Sequence, residues 1–218
     1  MDVRTERLNE LFFVYHKNLK NQSKSKYSRA VNYLKRRGFN LQDFLKVGGG
    51  VGYLQNKEWL NLPLYSFDGN LIGFLNRKVS YKKEFLYTPF NKPPSKSEAF
   101  VGLRELVIKD NSIYLVEGDF DWLAFRKAGI LNSLPLCGLS ISNQQVQWLK
   151  QKKIKKIFIC FDNDLAGKNG AKNLKKYLTK QGFITKVIEI KAAAKDWNDL
   201  FLLNNSNWSA VLTNQLLF

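Results

Sequence analysis

Histidine and cysteine are almost missing from this 218-residue chain, which holds one histidine, His16, and two cysteines, Cys137 and Cys160. A structural zinc site takes four ligands of these kinds, so no Cys/His zinc cluster can be assembled within the chain. Each cysteine closes, or nearly closes, an apolar run and reads as a core thiol of a reducing compartment. His16 falls in an ordinary amphipathic pattern and is given no function. Long apolar runs are also lacking. None approaches the ~20 residues that span a bilayer, and Met1-Asp2-Val3-Arg4-Thr5-Glu6 has no signal-peptide apolar region. The expectation is a cytoplasmic protein without a membrane partner. Acid is the third scarcity. Eighteen Asp and Glu stand against 35 Lys and Arg, a formal net charge of +17. Both halves are basic, and polyanions are the partners such a balance favours.

What is present is ample material for a core, with 44% of residues hydrophobic, enough for one good core or two small ones. Residues Val3 to Lys20 place Leu8, Leu11, Phe12, Tyr15 and Leu19 on one helical stripe. A second helix follows, capped by Ser23 or Ser25, with Tyr27, Ala30, Val31 and Leu34 inward and Gly38 as its left-handed end. Lys35, Arg36 and Arg37 in its last turn complement the helix dipole, or else form a phosphate-binding edge. One or two helical turns at Leu41 to Leu45 precede Gly48-Gly49-Gly50-Val51-Gly52. That run lacks the Lys-Ser/Thr pair of a phosphate loop and reads as a flexible turn. Strands at Leu60 to Ser66 and Asn70 to Asn76 are joined through Asp68-Gly69, a hairpin signal. The segment Tyr81 to Lys96 mixes Lys82, Lys83, Lys92 and Lys96 with Phe85, Tyr87 and Phe90, and its prolines forbid a helix. It suits either a groove that tracks a nucleic-acid backbone or a solvated loop.

A helix is expected at Leu103 to Lys109. Beyond it, strands at Ser112 to Val116, Asn132 to Cys137, Ile154 to Phe161 and Thr185 to Ile190 alternate with helices. The first helix, Asp119 to Lys127, has Asp119 as N-cap and Gly129 as its stop. The next opens on Ser142 with Gln145 completing a capping box, and the third runs from Ala166 to Lys180. Such alternation makes a mainly parallel sheet with helices on both faces, whose ligands gather beyond the carboxyl ends of the strands. Three acidic knots occur here: Glu117 to Asp121, Asp162 to Asp164, and Asp196 to Asp199. Two of them fall at strand ends, so distant carboxylates should converge on one rim. Magnesium takes oxygen ligands and keeps several waters, so one or two carboxylates plus substrate phosphates suffice. Asp162 and Asp164 could hold one ion or share two. Glu117 could ligate metal or relay a proton, and Gly118 would let a phosphate or metal approach the backbone. An isolated Asp-x-Asp after a strand is more often a cap and turn, a reading that three such knots in one α/β unit weaken.

In order, Glu117-Gly118-x-x-Asp121, Asp162-x-Asp164 with Ala166-Gly167, and Lys195-Asp196 resemble the Toprim module of bacterial-type DNA primases, type IA and II topoisomerases and some nucleases. The upstream half is similar to the start of the bacterial-type primase polymerase core. There Tyr33-Leu34-x-x-Arg37-Gly38, Phe44 and Gly52-Tyr53 are followed by the hairpin Asp68-Gly69-x-x-Ile72-Gly73-Phe74-x-x-Arg77, and then by Lys96-Ser97 leading to Phe100-Val101-Gly102-Leu103. The resemblance covers roughly residues 27 to 200.

It implies an α/β fold in which a small mixed α+β subdomain, 1–109, precedes a Toprim domain, 110–200, and a tail, 201–218. The implied activity is synthesis of short RNA primers on single-stranded DNA from ribonucleoside triphosphates, with Mg²⁺ or Mn²⁺. Glu117, Asp162 and Asp164 would be catalytic and metal-binding, with Asp121 and Asp196 further ligands. Arg77, Lys96, Lys82, Lys83 and Arg37 would grip template or nucleotide. A replicative helicase or a separate template-recognition protein would be a partner. Departures from the pattern are Glu84 where the family has lysine, Asn198 where it has aspartate, and the lack of a zinc ribbon. They leave open a nucleic-acid-binding accessory protein that kept the scaffold, and, third, a Toprim nuclease.

Overall fold

The computed structural model describes residues 3–21, 27–54, 57–79, 85–88 and 96–217. The chain divides into two compact units, Met1–Arg104 and Glu105–Phe218.

In the first unit, α1 (Val3–Lys20) buries Leu8, Tyr15 and Leu19, the stripe its periodicity predicts. It lies against an antiparallel sheet of β1 (Gly50–Leu54), β2 (Lys57–Ser66), β3 (Leu71–Lys78) and β4 (Phe85–Thr88) in that order, with β5 (Ala99–Val101) paired to β2. Only the first part of the glycine run is a turn, with Gly48 at φ +70°. Gly50 to Leu54 is a full strand, registered on β2 from Gly50↔Asn61 to Leu54↔Lys57. The glycines are there because α1 crosses directly over it. A Cβ on Gly50 would lie 2.5 Å from the Tyr15 carbonyl carbon, and one on Gly52 2.5 Å from the Tyr15 ring. The Tyr15 ring then meets Phe74 of β3 edge-on at 5.2 Å.

Helix α2 (Ser28–Arg36) begins after Tyr27 without a cap from its own neighbours; Ser23 and Ser25 lie outside the described residues. The acceptor comes from β2 instead, where buried Glu58 takes the Ala30 N–H at 2.8 Å and the Tyr53 hydroxyl at 3.4 Å. Gly38 ends the helix at φ +84°, as its position implies. The short α3 (Leu41–Leu45) starts on an Asn40/Asp43 capping box. The Asp68-Gly69 turn joins β2 to β3, with Gly69 at φ +80°.

The helix expected at Leu103 to Lys109 does not form. Val107 is 44% exposed, so the segment has no continuous buried stripe. Its backbone bonds elsewhere, from Val107 N to Leu131 O and through a bridge between Lys109 and Ser112.

The second unit alternates as its pattern predicts: β6 (Ser112–Val116), α4 (Asp119–Lys127), β7 (Ser133–Pro135), α5 (Asn143–Gln151), β8 (Lys156–Cys160), α6 (Leu165–Lys180), β9 (Ile184–Val187), α7 (Trp197–Leu203) and α8 (Trp208–Leu217). All four strands are parallel, in the order β7-β6-β8-β9. From β6 the chain steps one way to β7 and then back past β6 to β8. Right-handed crossovers therefore put α4 on one face and α5 and α6 on the other. The Ser142/Gln145 capping box opens α5, and Gly129 and Gly182 follow α4 and α6 at φ +85° and +92°.

The two thiols differ. Cys160 is fully buried, and burial pushes its thiol well up. Cys137 is only half-buried, in the loop after β7, so it is not the core thiol its apolar run suggests. Among the described residues no helix is long and apolar enough to cross a membrane.

Candidate functional site

The direction of the chain's crossovers reverses between β6 and β8, and in such sheets the carboxyl ends of the strands at the switch point are where ligands gather. Val116 is paired with Cys160 in the last rung, so the next residues, Glu117 and Phe161-Asp162, are delivered side by side. The Asp162 N–H donates to Glu117 Oε2 at 3.3 Å. Asp162 is 9% exposed and Glu117 half-buried.

The other acidic knots are tied to this pair through the backbone. Asn163 N donates to Lys195 O at 2.8 Å, and the Asn163 amide donates to Ala194 O at 3.1 Å. Asn198 N donates to Asp121 Oδ1 at 3.0 Å. Each of the three loops is thus bonded to both others. The spacing of small residues explains why they can close up. A Cβ on Gly118 would come within 2.6 Å of Asp121 Oδ2, which instead receives the Gly118 N–H at 3.2 Å. That carboxylate fills the space expected to admit a phosphate or metal. The N-cap of α4 is therefore Gly118, and Asp119 is a buried first-turn residue rather than the cap. Likewise a Cβ on Gly167 would lie 2.3 Å from Asp162 O, so only glycine lets the first turn of α6 press on the Asp162 backbone.

Several carboxylates also hold helix starts. Asp164, exposed, caps α6 by accepting from Gly167 N at 2.7 Å, and Asp196, buried, caps α7 by accepting from Asp199 N at 2.7 Å. The carboxylate–glycine spacing that produces the first of these caps is visible in the sequence as Asp164-x-x-Gly167. The geometry thus brings Glu117 and Asp162 together and sets Asp164, Asp121 and Asp196 at helix starts around them. Among the described residues no group of three or more His, Cys, Asp or Glu side chains is gathered closely enough to form a metal cage. Beside Asp162 a cleft runs between the first turns of α6 and the segment after β9, lined by Asp162, Asn163, Lys168, Ile188 and Glu189.

In the first unit, Arg77 is 6% exposed and donates to the Tyr33 hydroxyl of α2 at 3.4 Å. Lys96 is exposed and Arg37 half-buried. Lys82, Lys83 and Glu84 lie outside the described residues.

Residues 114–201 match a family described as Toprim-like. The uncharacterized protein MG010 of Mycoplasma genitalium is 99% identical over 218 residues, 100% of each chain. A DNA primase of Mycoplasma pneumoniae is 30% identical over 174 residues, 76% of this chain and 27% of its own; the chain thus spans about a quarter of that primase. Among solved structures, the RNA polymerase domain of Mycobacterium tuberculosis primase DnaG in complex with double-stranded DNA is similar at TM-score 0.78 and 19% identity, over 99% of this chain and 80% of that one. A DnaG primase catalytic domain bound to ssDNA is similar at TM-score 0.74 and 18% identity, over 97% and 77%. The chain belongs to the MG010 family, carries a Toprim-like module and has the fold of the DnaG primase catalytic core.

Proposed function

We propose that this chain is a minimal primase core that joins ribonucleotides on single-stranded DNA. The observation that carries the reading is the Glu117–Asp162 pair at the switch point between β6 and β8. The donor set there is carboxylate oxygen alone. That suits a hard divalent cation, Mg²⁺ or Mn²⁺, which needs one or two protein carboxylates and completes its shell with water and phosphate. Glu117 and Asp162 would hold it, with Asp164 beside them. Once bound, it would offset the charge that builds on the phosphate during nucleotidyl transfer. The chain's own part is to orient and to move a proton. Glu117 stands where a carboxylate can accept the proton of an attacking hydroxyl, and Asp162, fixed through its backbone, keeps that carboxylate in place. Lys96 and Arg37 would contact template or nucleotide phosphates, while Arg77 holds α2 through Tyr33. DNA bound to structures of the same fold, and the charge of +17, support a DNA template as partner.

A second reading has its own support. Asp121, Asp164 and Asp196 are engaged as backbone acceptors, and Asn198 stands where the primase pattern has an aspartate. A scaffold that binds nucleic acid without polymerising would look the same.

Incubation with single-stranded DNA, labelled ribonucleotides and Mg²⁺ or Mn²⁺ separates the two. Primer synthesis that falls at least about 100-fold in Asp162→Ala and Glu117→Gln, with DNA affinity kept, supports the polymerase, the size being that of a lost transition-state contact. Binding without synthesis in the unaltered protein supports the accessory scaffold, and shortened DNA a nuclease.

A further inference from the structure

Between Trp122 and Ile188 the sequence has thirteen Lys and Arg but only two acidic residues, Asp162 and Asp164, both in the candidate site. The excess is organised on α6. Lys168, Lys172, Lys175 and Lys176 are all exposed, and at 3.6 residues per turn they fall within an arc of about 100°. Ala171, Leu174 and Leu178, on the far side of the helix, are buried within the unit. Within α6 no Asp or Glu stands three or four residues from any of these lysines; Asp164, four before Lys168, is the nearest acid in sequence, and it caps the helix. Thr179, on the same arc, meets Thr185 of the edge strand β9 at 2.7 Å, so the C-terminal end of the ridge sits beside that strand. Its first member, Lys168, lines the cleft that holds Asp162 and Glu189.

We infer that this ridge is a binding track for the phosphate backbone of a nucleic-acid strand, separate from the basic residues of the first unit and leading to the cleft beside Asp162. One ammonium group per turn, about 5.4 Å apart along the axis, suits a linear string of phosphates. Lysine, a compact point charge without a planar fork, grips phosphate without reading bases. Exposed Asn169 and Asn173 beside the ridge add amide donors for phosphate or sugar oxygens. A membrane surface is the weaker match. It would need an apolar stripe free to insert next to the lysines, and the α6 stripe is occupied by its own core.

The test uses the full chain, a fluorescent 30-residue oligothymidylate and EDTA, with neither metal nor nucleotide present, so its outcome is independent of catalysis. The triple variant Lys172→Gln/Lys175→Gln/Lys176→Gln should bind about tenfold or more weakly at low salt, and the slope of log affinity against log salt should become shallower by about 2, as expected for three lost single-strand contacts. A control that removes the same charge from the first unit, Lys17→Gln/Lys20→Gln/Lys46→Gln, should lose much less. Equal losses in the two variants would reduce the ridge to a net-charge effect and overturn the proposal. So would unchanged affinity and slope in the α6 variant, or a variant that keeps oligonucleotide binding while losing binding to phosphatidylserine vesicles.

Discussion

The two units place their polar groups in opposite ways. In the parallel unit the candidate-site carboxylates stand at the rim, beyond the last rungs of β6 and β8, where strand order alone puts Glu117 next to Asp162. In the antiparallel unit polar side chains run through the interior. Asn61 Nδ2 donates to Asn76 Oδ1 at 2.6 Å and Asn76 Nδ2 to Thr88 Oγ1 at 2.7 Å, all three buried, across three neighbouring strands. Glu58 and Arg77 are buried too, each bonded to α2. One unit therefore leaves carboxylates at the switch point, while the other commits its polar side chains to holding its own elements in register. The lesson is that a charged residue on a strand means different things in the two halves.

The largest test of this contrast is steric. Gly50→Ala and Gly167→Ala each drive a Cβ into backbone, at Tyr15 in one unit and Asp162 in the other, and each should cost about 3 kcal/mol in urea unfolding. Only Gly167→Ala should also depress primer synthesis beyond what lost stability explains. Next in size, Asn76→Ala leaves the Asn61 amide and the Thr88 hydroxyl without their partner and should cost about 2 kcal/mol. The double change Asn61→Leu/Asn76→Leu should cost less than Asn76→Ala alone, because no buried amide of the pair is then stranded. A similar penalty for both would show that the chain contributes shape rather than hydrogen bonding. Glu58→Gln weakens the acceptor at the start of α2 and should lower stability by about 1 kcal/mol, read by hydrogen exchange at Ala30.

The smallest effect is with pH. Burial raises the Cys160 thiol in the second unit and the Tyr15 phenol in the first. In both cases the unfolded chain ionises first, so the contribution is intact below the unfolded value and declines as pH rises through the folded one. The parallel unit should therefore begin to weaken above about pH 8.5 and the antiparallel unit only above about pH 10. Cys160→Ala should abolish the earlier decline, followed by limited proteolysis across that range.

The same contrast decides what could be read in advance. In the parallel unit, strand–helix alternation and the Ser142/Gln145 box are local signals, and α5 opens where the box puts it. The ends of β6 and β8 follow, and with them the meeting of Glu117 and Asp162. The antiparallel unit depends on partners distant in sequence. The glycines of β1 have no strand propensity and make sense only under Tyr15, some 35 residues earlier. The strand Ala99–Val101 is defined by its pairing with β2, and the cap of α2 comes from Glu58, 28 residues away. At the site, the cap at Asp164 was legible from its spacing to Gly167. The role of Gly118 was not, because the group that fills its space, the Asp121 carboxylate, turns back from the following helix.

The mutual bonding of the three acidic loops has a dynamic consequence. The amide hydrogens of Asp162 and Asn198 are both held by the Glu117–Asp121 loop and that of Asn163 by the Lys195 carbonyl, so none can be released without disturbing a second segment. They should exchange with solvent as one cooperative group, which would make the rim move as a single hinged plate and let an occupant at one corner stiffen the other two.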